Sequence, residues 1–342
     1  MSLLKSFYIK NKKISEINPS YVIAEIGINH GGSKINCKKL IKKAHECGAD
    51  AVKLQIANPE ESYSRDHSSY KAFKNKYLSD KTLSYLISYA ESLNLALFAT
   101  PGDFTSLKRI SKLRMPAIKI SSGLLTNLPL IKEASKKKIP IIISTGMAYE
   151  KEIDDAITIC KKKNNKIALL KCTSIYPAPI DTLNLKAIDR LKKKYNIPVG
   201  YSDHAAGIDA CIYAVAAGAS IIEKHFTLNK KLTGADHKIS IEPNEFKLMI
   251  KKIRNLEKIL GKATIKPVKK EIKFRKIYHR KVVSFKKIIK GEKFTLNNLC
   301  LKRTNFQSKG LPPKNLFKIL GKSAVKNIKA HKLLLNSDFS RR

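Results

Sequence analysis

The chain has 342 residues, of which 43% are hydrophobic, so it is long enough for one large domain and a second, smaller domain. We expect no secretory segment or membrane span, because the longest uncharged apolar run is short, and the six cysteines form no CxxC pair, which predicts reduced thiols in the cytoplasm. The formal net charge of +41 comes mostly from lysine, and arginine is scarce, so we expect weak, salt-sensitive association with polyanions but no specific nucleic-acid partner.

The first predicted strand covers residues 21–29 and places Glu25 on one of its two faces. A glycine-rich turn follows, and its Ser33 is suited to cap the first helix. The second strand covers residues 51–56 and carries Lys53 inside an apolar run. A lysine in such a run is costly unless an anion meets it, so Lys53 is a candidate binding residue.

Residues 58–80 are polar and show no helical period, which predicts a long functional or mobile loop. Strands and helices alternate along the chain on both sides of this loop. The other strands are predicted at 95–101, 117–122, 139–146, 167–174, 197–204 and 220–227, and the helices at 36–47, 82–93, 104–113, 128–137, 151–162, 185–195, 207–218 and 245–260. Eight units that repeat after roughly thirty residues predict a (β/α)8 TIM barrel. A doubly wound open sheet is the weaker alternative, because the first turn lacks its glycine pattern.

Two histidines are predicted at matching ends of the last two strands, His204 and His225, with Asp203 and Glu223 beside them. Parallel neighbouring strands end at the same edge, so the two imidazoles can approach one ion. A single histidine at a strand end is more often a hydrogen-bonded structural residue. The pair makes a divalent-metal site a serious hypothesis, with other coordination positions left for substrate or water.

Every predicted strand ends in polar side chains, and three strands also contain a lysine, namely Lys53, Lys119 and Lys171. In a barrel of this kind the active site lies at the carboxyl ends of the strands. Turn chemistry alone accounts for some of the serines and threonines there, but not for the lysines and histidines. Together they predict a site for a phosphorylated or carboxylated anion.

The predicted domains are the barrel over residues 1–262, a linker over residues 263–280, and a small β-rich domain over residues 281–342. The linker is charged, contains Pro267 and has no clear periodicity. The last domain is too short for a large core, so we expect it to pack on the barrel or on a second subunit.

Seven motifs make the chain resemble the bacterial sialic acid synthases, the family that makes N-acetylneuraminic, legionaminic and pseudaminic acids. The resemblance covers nearly the whole chain, and the tail is similar to the family's small antifreeze-like (SAF) domain. The motifs are AEIGINHGGS at 24–33, VKLQ at 52–55, KISSG at 119–123, STGMA at 144–148, CTSIYPAP at 172–179, GYSDH at 200–204 and EKHFTLNKKLTGADHKISIEP at 223–243.

The resemblance implies a metal-dependent condensation of phosphoenolpyruvate with the open-chain aldehyde of an N-acylated hexosamine, with release of phosphate. Candidate acceptors are N-acetylmannosamine and a 2,4-diacetamido-6-deoxyhexose. The resemblance also implies Mn2+ or Mg2+ as the cofactor and a domain-swapped homodimer as the assembly.

The resemblance assigns a role to each matching residue. Glu25, His204 and His225 are expected to be catalytic, with the two histidines as metal ligands and Glu25 handling a proton. Phosphoenolpyruvate is expected to bind Lys53, Thr100, Lys119, Ser122, Ser144, Ser174 and Ser202, and the amino sugar to contact Glu25 and Asp236. Tyr176 is also expected to bind substrate. Arg303 matches an SAF-domain arginine that reaches into the partner subunit's active site, although Thr304 and Asn305 follow it where the family often has Pro-Gly.

One departure from the family concerns Leu124, which stands where the family usually has a glutamate that binds hydroxyls of the sugar. Losing a charge-assisted hydrogen bond costs roughly 1.5–3 kcal/mol. This chain therefore uses a sugar with fewer hydroxyls at that point, or its activity is weakened or lost.

Two other functions remain open from the sequence. A relative with the same condensing chemistry on another aldehyde, as in the 3-deoxy-octulosonate and 3-deoxy-heptulosonate phosphate synthases, needs a second phosphate pocket, for which no arginine-rich strand end is available. A non-catalytic binding or regulatory homologue fits Leu124, but retention of both histidines, Lys53, Lys119 and Glu25 argues against it.

Overall fold

The computed structural model describes residues 2–234, 236–304 and 309–340. The chain forms two compact units, residues 1–261 and residues 262–342. Within the described ranges, no helix is both long and apolar enough to cross a membrane.

The first unit contains a closed barrel of eight parallel strands, which confirms the predicted (β/α)8 architecture and rules out the open sheet. Each strand except the last pairs with the next one along the chain, and the last strand pairs with the first. After a hairpin of β1 (Phe7–Ile9) and β2 (Lys12–Ile14), the barrel strands are β3 (Tyr21–Gly27), β4 (Ala51–Ile56), β5 (Ala96–Pro101), β6 (Ile118–Ile120), β7 (Ile141–Ser144), β8 (Ile167–Cys172), β9 (Val199–Asp203) and β10 (Ile221–His225).

Apart from the two short helices after β4, which add no residue to it, the helices of this unit follow the strands and bury apolar faces with them in one core cluster. Their bounds are α1 (Lys34–Glu46), α2 (Pro59–Ser62), α3 (Ser68–Lys74), α4 (Asp80–Ser92), α5 (Phe104–Lys112), α6 (Leu128–Ser135), α7 (Glu150–Lys161), α8 (Ala187–Tyr195), α9 (Asp209–Ala216) and α10 (Pro243–Leu260). The cap predicted for α1 is present, because Ser33 Oγ accepts a hydrogen bond of 3.3 Å from the Asn36 N–H.

The predicted loop 58–80 is wrong in one respect, because it contains α2 and α3. Both helices are shorter than two turns, so they leave no periodic pattern in the sequence. Side chains start them instead: Asn58 accepts from the Glu60 N–H, and His67 accepts from the Ser69 N–H.

The N-terminal hairpin was not predicted, and it packs against the barrel. Phe7, Ile9 and Ile14 are buried in the barrel's core cluster. Lys12 pairs with Asp50, the residue just before β4, which places the contact near the amino ends of the strands. The hairpin therefore lies at the opposite end from the strand termini that carry the predicted site.

The second unit has its own small core, which includes Val282, Ile288 and Phe294. Strands β11 (Lys281–Ser284) and β12 (Leu299–Lys302) pair antiparallel, and isolated bridges extend the pairing. The segment 263–280, which we interpret as a linker, contains helix α11 (Glu271–Tyr278), none of whose residues is buried. Helix α12 (Leu316–Ile319) completes the unit.

Candidate active site

A cavity of about 450 Å³ opens at the carboxyl ends of the barrel strands. Its wall contains most of the residues that the sequence marked as catalytic or substrate-binding. Those lining it are Glu25, Lys53, Thr100, Lys119, Ser122, Ser144, Ser174, Tyr176, Ser202, His204 and His225. The barrel thus brings together, at one end, side chains from all eight strands or the turns that follow them.

The floor of the cavity is a network of two ammonium groups and two carboxylates, all buried. Lys53 Nζ lies 3.1 Å from Glu25 Oε2 and 3.1 Å from Glu223 Oε2. Lys119 Nζ lies 3.7 Å from Glu223 Oε1 and donates to Ser144 Oγ at 2.6 Å. Glu223 was only noted beside His225 in the sequence, yet it is the carboxylate that both lysines share.

Burial and neighbouring charges push the pKa values of the two carboxyls in opposite directions. Burial raises the pKa of Glu25 to about 7, and the ammonium of Lys53 offsets only part of that effect. Burial also acts on Glu223, but the charges of Lys119 and Lys53 outweigh it and lower the pKa of Glu223 to about 2. Glu25 can therefore both give and take a proton near neutral pH, whereas Glu223 stays ionised.

The two lysines also differ. Burial lowers the pKa of Lys119 to about 8, because the attraction of Glu223 does not fully compensate for lost solvent. For Lys53, the opposing charges of Glu223 and Glu25 outweigh burial and raise the pKa above its ordinary value. Lys53 is a permanent cation in this site, and Lys119 is one below about pH 8.

Hydroxyl groups surround the lysines, and a glycine leaves room for them. A Cβ at Gly146 would lie 2.2 Å from Ser174 Oγ and 2.6 Å from Ser122 Oγ, so any side chain at that position would displace both hydroxyls. Ser122 Oγ accepts from the Gly146 N–H at 3.1 Å. Thr100 Oγ1 is buried and has no hydrogen-bond partner among the described residues, so it is free to bind a ligand.

His204 and His225 face each other with their ring centroids 5.4 Å apart. Two imidazoles bound to one ion through nitrogens about 2.1 Å away would place their centroids roughly 5 Å apart, so the pair fits a shared divalent ion. His204 Nδ1 lies 2.8 Å from the Thr173 carbonyl oxygen, which leaves Nε2 unprotonated in the neutral ring. His225 Nδ1 is buried without a hydrogen-bond partner in the described part of the chain.

No group of three or more His, Cys, Asp or Glu side chains among the described residues is arranged to hold a metal. A metal at His204 and His225 would therefore take its other ligands from water or substrate. Burial holds the pKa of His225 well below its usual range, so this ring is neutral and able to act as a ligand. Tyr176 packs on His204 with ring centroids 4.1 Å apart.

The lining of the cavity also includes apolar and aromatic side chains. These are Ile56, Tyr63, Phe73, Leu124 and Met147, and Tyr63 contacts Phe73 with ring centroids 5.4 Å apart. Tyr63 and Phe73 come from the segment between β4 and α4, which contains α2 and α3. Leu124 is thus one of several apolar or aromatic side chains in the lining of the cavity.

Two predicted site residues lie outside this cavity. Asp236 lines an adjoining groove together with Tyr176. Its carboxylate nevertheless lies close to that of Glu25, because a Cβ built at Gly27 would be 3.1 Å from Asp236 Oδ2 and 3.2 Å from Glu25 Oε1. Arg303 belongs to the second unit, where it is exposed and stacks over Tyr278 at 5.2 Å.

Two residues noted near the site in the sequence face away from it, which corrects their interpretation. Lys171 Nζ donates to the Cys172 carbonyl at 2.8 Å and lines a groove between α7 and α8. Asp203 pairs with Lys224 behind β9 and β10. Conversely, Gln55 was not among the predicted site residues, yet it lines the cavity and donates to Glu25 Oε1 at 2.9 Å. Its position two residues after Lys53, on the same face of the strand, could have indicated this.

Residues 40–265 match the NeuB family. N,N'-diacetyllegionaminic acid synthase from Campylobacter jejuni is 39% identical over 330 residues, which cover 92% of this chain and 98% of that protein. Pseudaminic acid synthase from the same organism is 36% identical over 337 residues, covering 93% and 96%. The crystal structure of N-acetylneuraminic acid (sialic acid) synthetase from Leptospira borgpetersenii, in complex with citrate, is 35% identical with a TM-score of 0.76, covering 80% of this chain and 97% of that one.

Proposed function

Because the chain belongs to the NeuB family and its relatives are nonulosonate synthases, we propose that it condenses phosphoenolpyruvate with an N-acylated hexosamine and releases phosphate. The observation that carries this proposal is the cavity floor, where Lys53 and Lys119 lie within a ring of hydroxyls beside two imidazoles. Two cations and several donors suit a small ligand that carries both a carboxylate and a phosphate.

In this reaction the enol carbon of phosphoenolpyruvate bonds to the aldehyde carbon, water adds to the oxocarbenium carbon, and the carbon–oxygen bond to phosphate breaks. Lys53, Lys119 and the surrounding hydroxyls bind the anion and orient the enol. Glu25, with a pKa of about 7, exchanges a proton with the aldehyde oxygen or the attacking water. Ser202, which donates to Glu223 Oε1 at 2.9 Å, keeps that carboxylate fixed between the lysines.

His204 and His225 would hold the divalent cation, Mn2+ or Mg2+, which when bound supplies Lewis-acid polarisation of the aldehyde oxygen. The spacing of the rings and the unpartnered His225 Nδ1 support this assignment. Equilibrium dialysis of the purified protein against Mn2+, followed by metal analysis, tests it. A protein that takes up no Mn2+ would contradict the assignment.

The acceptor we favour is a 2,4-diacetamido-6-deoxyhexose rather than N-acetylmannosamine. The isobutyl group of Leu124, which lines the cavity, cannot satisfy a hydroxyl, and an unpaired buried hydroxyl costs about 1–3 kcal/mol. A deoxy carbon or an acyl methyl group can contact the Leu124 side chain without that cost. None of the described residues that line the cavity is arginine, so the cavity offers little support for a phosphorylated acceptor.

The decisive assay is phosphate release from phosphoenolpyruvate with Mn2+ and a panel of N-acylhexosamines. Release that needs both the sugar and the metal supports a synthase. No release with any sugar of the panel, from a protein that still binds Mn2+, would favour a non-catalytic homologue. A Lys119→Met variant is the matched control, since it should slow release at low phosphoenolpyruvate concentration while keeping the metal ligands.

We also propose that the enzyme is a cytoplasmic homodimer in which Arg303 enters the partner's cavity and the second unit is an SAF domain. These points rest on the sequence resemblance. Arg303 is exposed on its own unit, as a residue that serves another subunit must be.

A further inference from the structure

A fully buried ion pair lies behind the two histidines, on the outer face of the barrel wall. Lys224 Nζ donates to Asp203 Oδ2 at 2.6 Å, and neither side chain is exposed to solvent. The two residues are register partners in β9 and β10. Each precedes one of the histidines in sequence, and neither lines the cavity.

The pair also forms hydrogen bonds with the backbone of Ala205, the residue after His204. Lys224 Nζ also donates to the Ala205 carbonyl at 2.6 Å, and Asp203 Oδ1 accepts from the Ala205 N–H at 2.9 Å. Tyr201 OH donates to Asp203 Oδ1 at 3.1 Å and fixes the carboxylate further. Through these bonds, the residue before His225 is tied to the residues on both sides of His204.

Stability alone does not require such a pair, because apolar replacement of a buried ion pair is often neutral or stabilising. An apolar pair, however, would not bind the backbone groups of Ala205 and would leave the two strand ends free to shift. We propose that Asp203 and Lys224 are positioning residues that set the separation and orientation of the His204 and His225 imidazoles for a shared divalent ion. The proposal rests on the function proposed above.

The double variant Asp203→Asn with Lys224→Met tests it. The amide oxygen of Asn can still accept from the Ala205 N–H, and no buried charge is left unpaired. We expect the Mn2+ dissociation constant, measured by electron paramagnetic resonance titration of free Mn2+, to rise about tenfold or more, as for other residues that orient metal ligands. The KM for phosphoenolpyruvate should change little, because Lys53 and Lys119 lie on other strands, while kcat falls.

Arg254→Met is the matched control, because it also removes an ion pair with a buried carboxylate, but near the other end of the barrel. There Arg254 Nη2 lies 3.2 Å from Asp50 Oδ2. It should lower the melting temperature and leave Mn2+ affinity unchanged. Tyr201→Phe removes one bond to Asp203 without disturbing charge, so it provides a second test should the double variant fail to fold; we expect a rise of about two- to threefold.

The positioning role would be overturned if the folded double variant bound Mn2+ as tightly as wild type. If the double variant does not fold, the same result in Tyr201→Phe would overturn it. Either result would leave the proposed synthase function intact. A wild-type protein that binds no Mn2+ would instead overturn both the metal assignment and this inference. A loss of affinity equal to that of Arg254→Met would show a general effect of stability and also overturn it.

Discussion

Replacing Glu25 by Gln should stabilise the protein at pH 8 and have little effect near pH 4.5. The folded-state pKa of Glu25 is raised from 4.5 to about 7, so the folded state keeps a proton that the unfolded chain releases. Stability is therefore lost as the pH rises through that window. At about 1.4 kcal/mol for each pKa unit, the ionised carboxylate costs roughly 3 kcal/mol above pH 7, which a neutral amide removes.

The measurement is urea unfolding followed by circular dichroism at pH 4.5, 6 and 8, in metal-free buffer with EDTA. Glu223→Gln is the control with the opposite sign, because Glu223 bonds to Lys53 and Ser202 and its pKa is lowered to about 2. Its stabilising contribution is present above pH 4.5 and is lost only as the pH falls towards 2. Glu223→Gln should thus destabilise the protein by roughly 3 kcal/mol at pH 6 and at pH 8 alike.

The reasoning is refuted if Glu25→Gln is no more stable than wild type at pH 8, or if its advantage is the same at all three pH values. The same variant should release phosphate far more slowly, because the amide cannot exchange the proton. Greater stability with lower activity would identify Glu25 as a residue kept for chemistry at the expense of the fold.

Four further outcomes are expected. Lys119→Met should raise the KM for phosphoenolpyruvate by about tenfold or more, measured by phosphate release. In wild type this KM should rise above about pH 8, where Lys119 loses its proton, and the variant should lack that rise. A variant with the pH profile of wild type would contradict this. Leu124→Glu should shift the kcat/KM ratio towards N-acetylmannosamine by roughly tenfold against the 6-deoxy acceptor, and an unchanged ratio would exclude Leu124 from specificity. Ile14→Ala should cost about 2–5 kcal/mol in urea unfolding with KM unchanged, and a smaller loss would mean that the hairpin contributes little to the core. Arg303→Ala and His225→Ala should each be inactive and regain about a quarter of wild-type activity when co-refolded in equal amounts, because about half of the dimers are then mixed and each mixed dimer has one complete site of two. No recovery would argue against a site shared between subunits.

Periodicity was enough to predict the barrel, because each of its strands is an apolar run and each following helix has an amphipathic face. Except for β4, whose bounds agree, the predicted strands are longer than the observed ones by up to four residues: the prediction is 139–146 where β7 spans Ile141–Ser144. Alternation continues into turns, so it does not mark where pairing stops. The hairpin of β1 and β2 was missed because two three-residue strands are too short to show a pattern.

The site could be predicted only up to the choice of face. Barrel strands are covered on both sides, so the residues on both alternating faces of a strand are largely apolar. The sequence therefore does not show which face points into the barrel. Lys119 and Lys171 therefore looked equivalent in sequence, although one enters the cavity and the other faces the helices. The same ambiguity left Asp203 and Glu223 equivalent beside the two histidines of the metal hypothesis, because only the folded register shows that Glu223 faces the lysines.

The four ionisable side chains of the cavity floor would let the proposed anion bind there without a large excess of positive charge. Lys53 and Glu223 remain ionised and balance each other. Lys119 is cationic below about pH 8 and Glu25 is about half protonated at pH 7, so the net charge of the four groups lies between zero and +1. An arriving carboxylate or phosphate disfavours the ionised form of Glu25, which would load that side chain with a proton. Binding of the anion would therefore also protonate Glu25 and make it a general acid. This coupling requires that all four side chains lie together in the buried floor of the cavity.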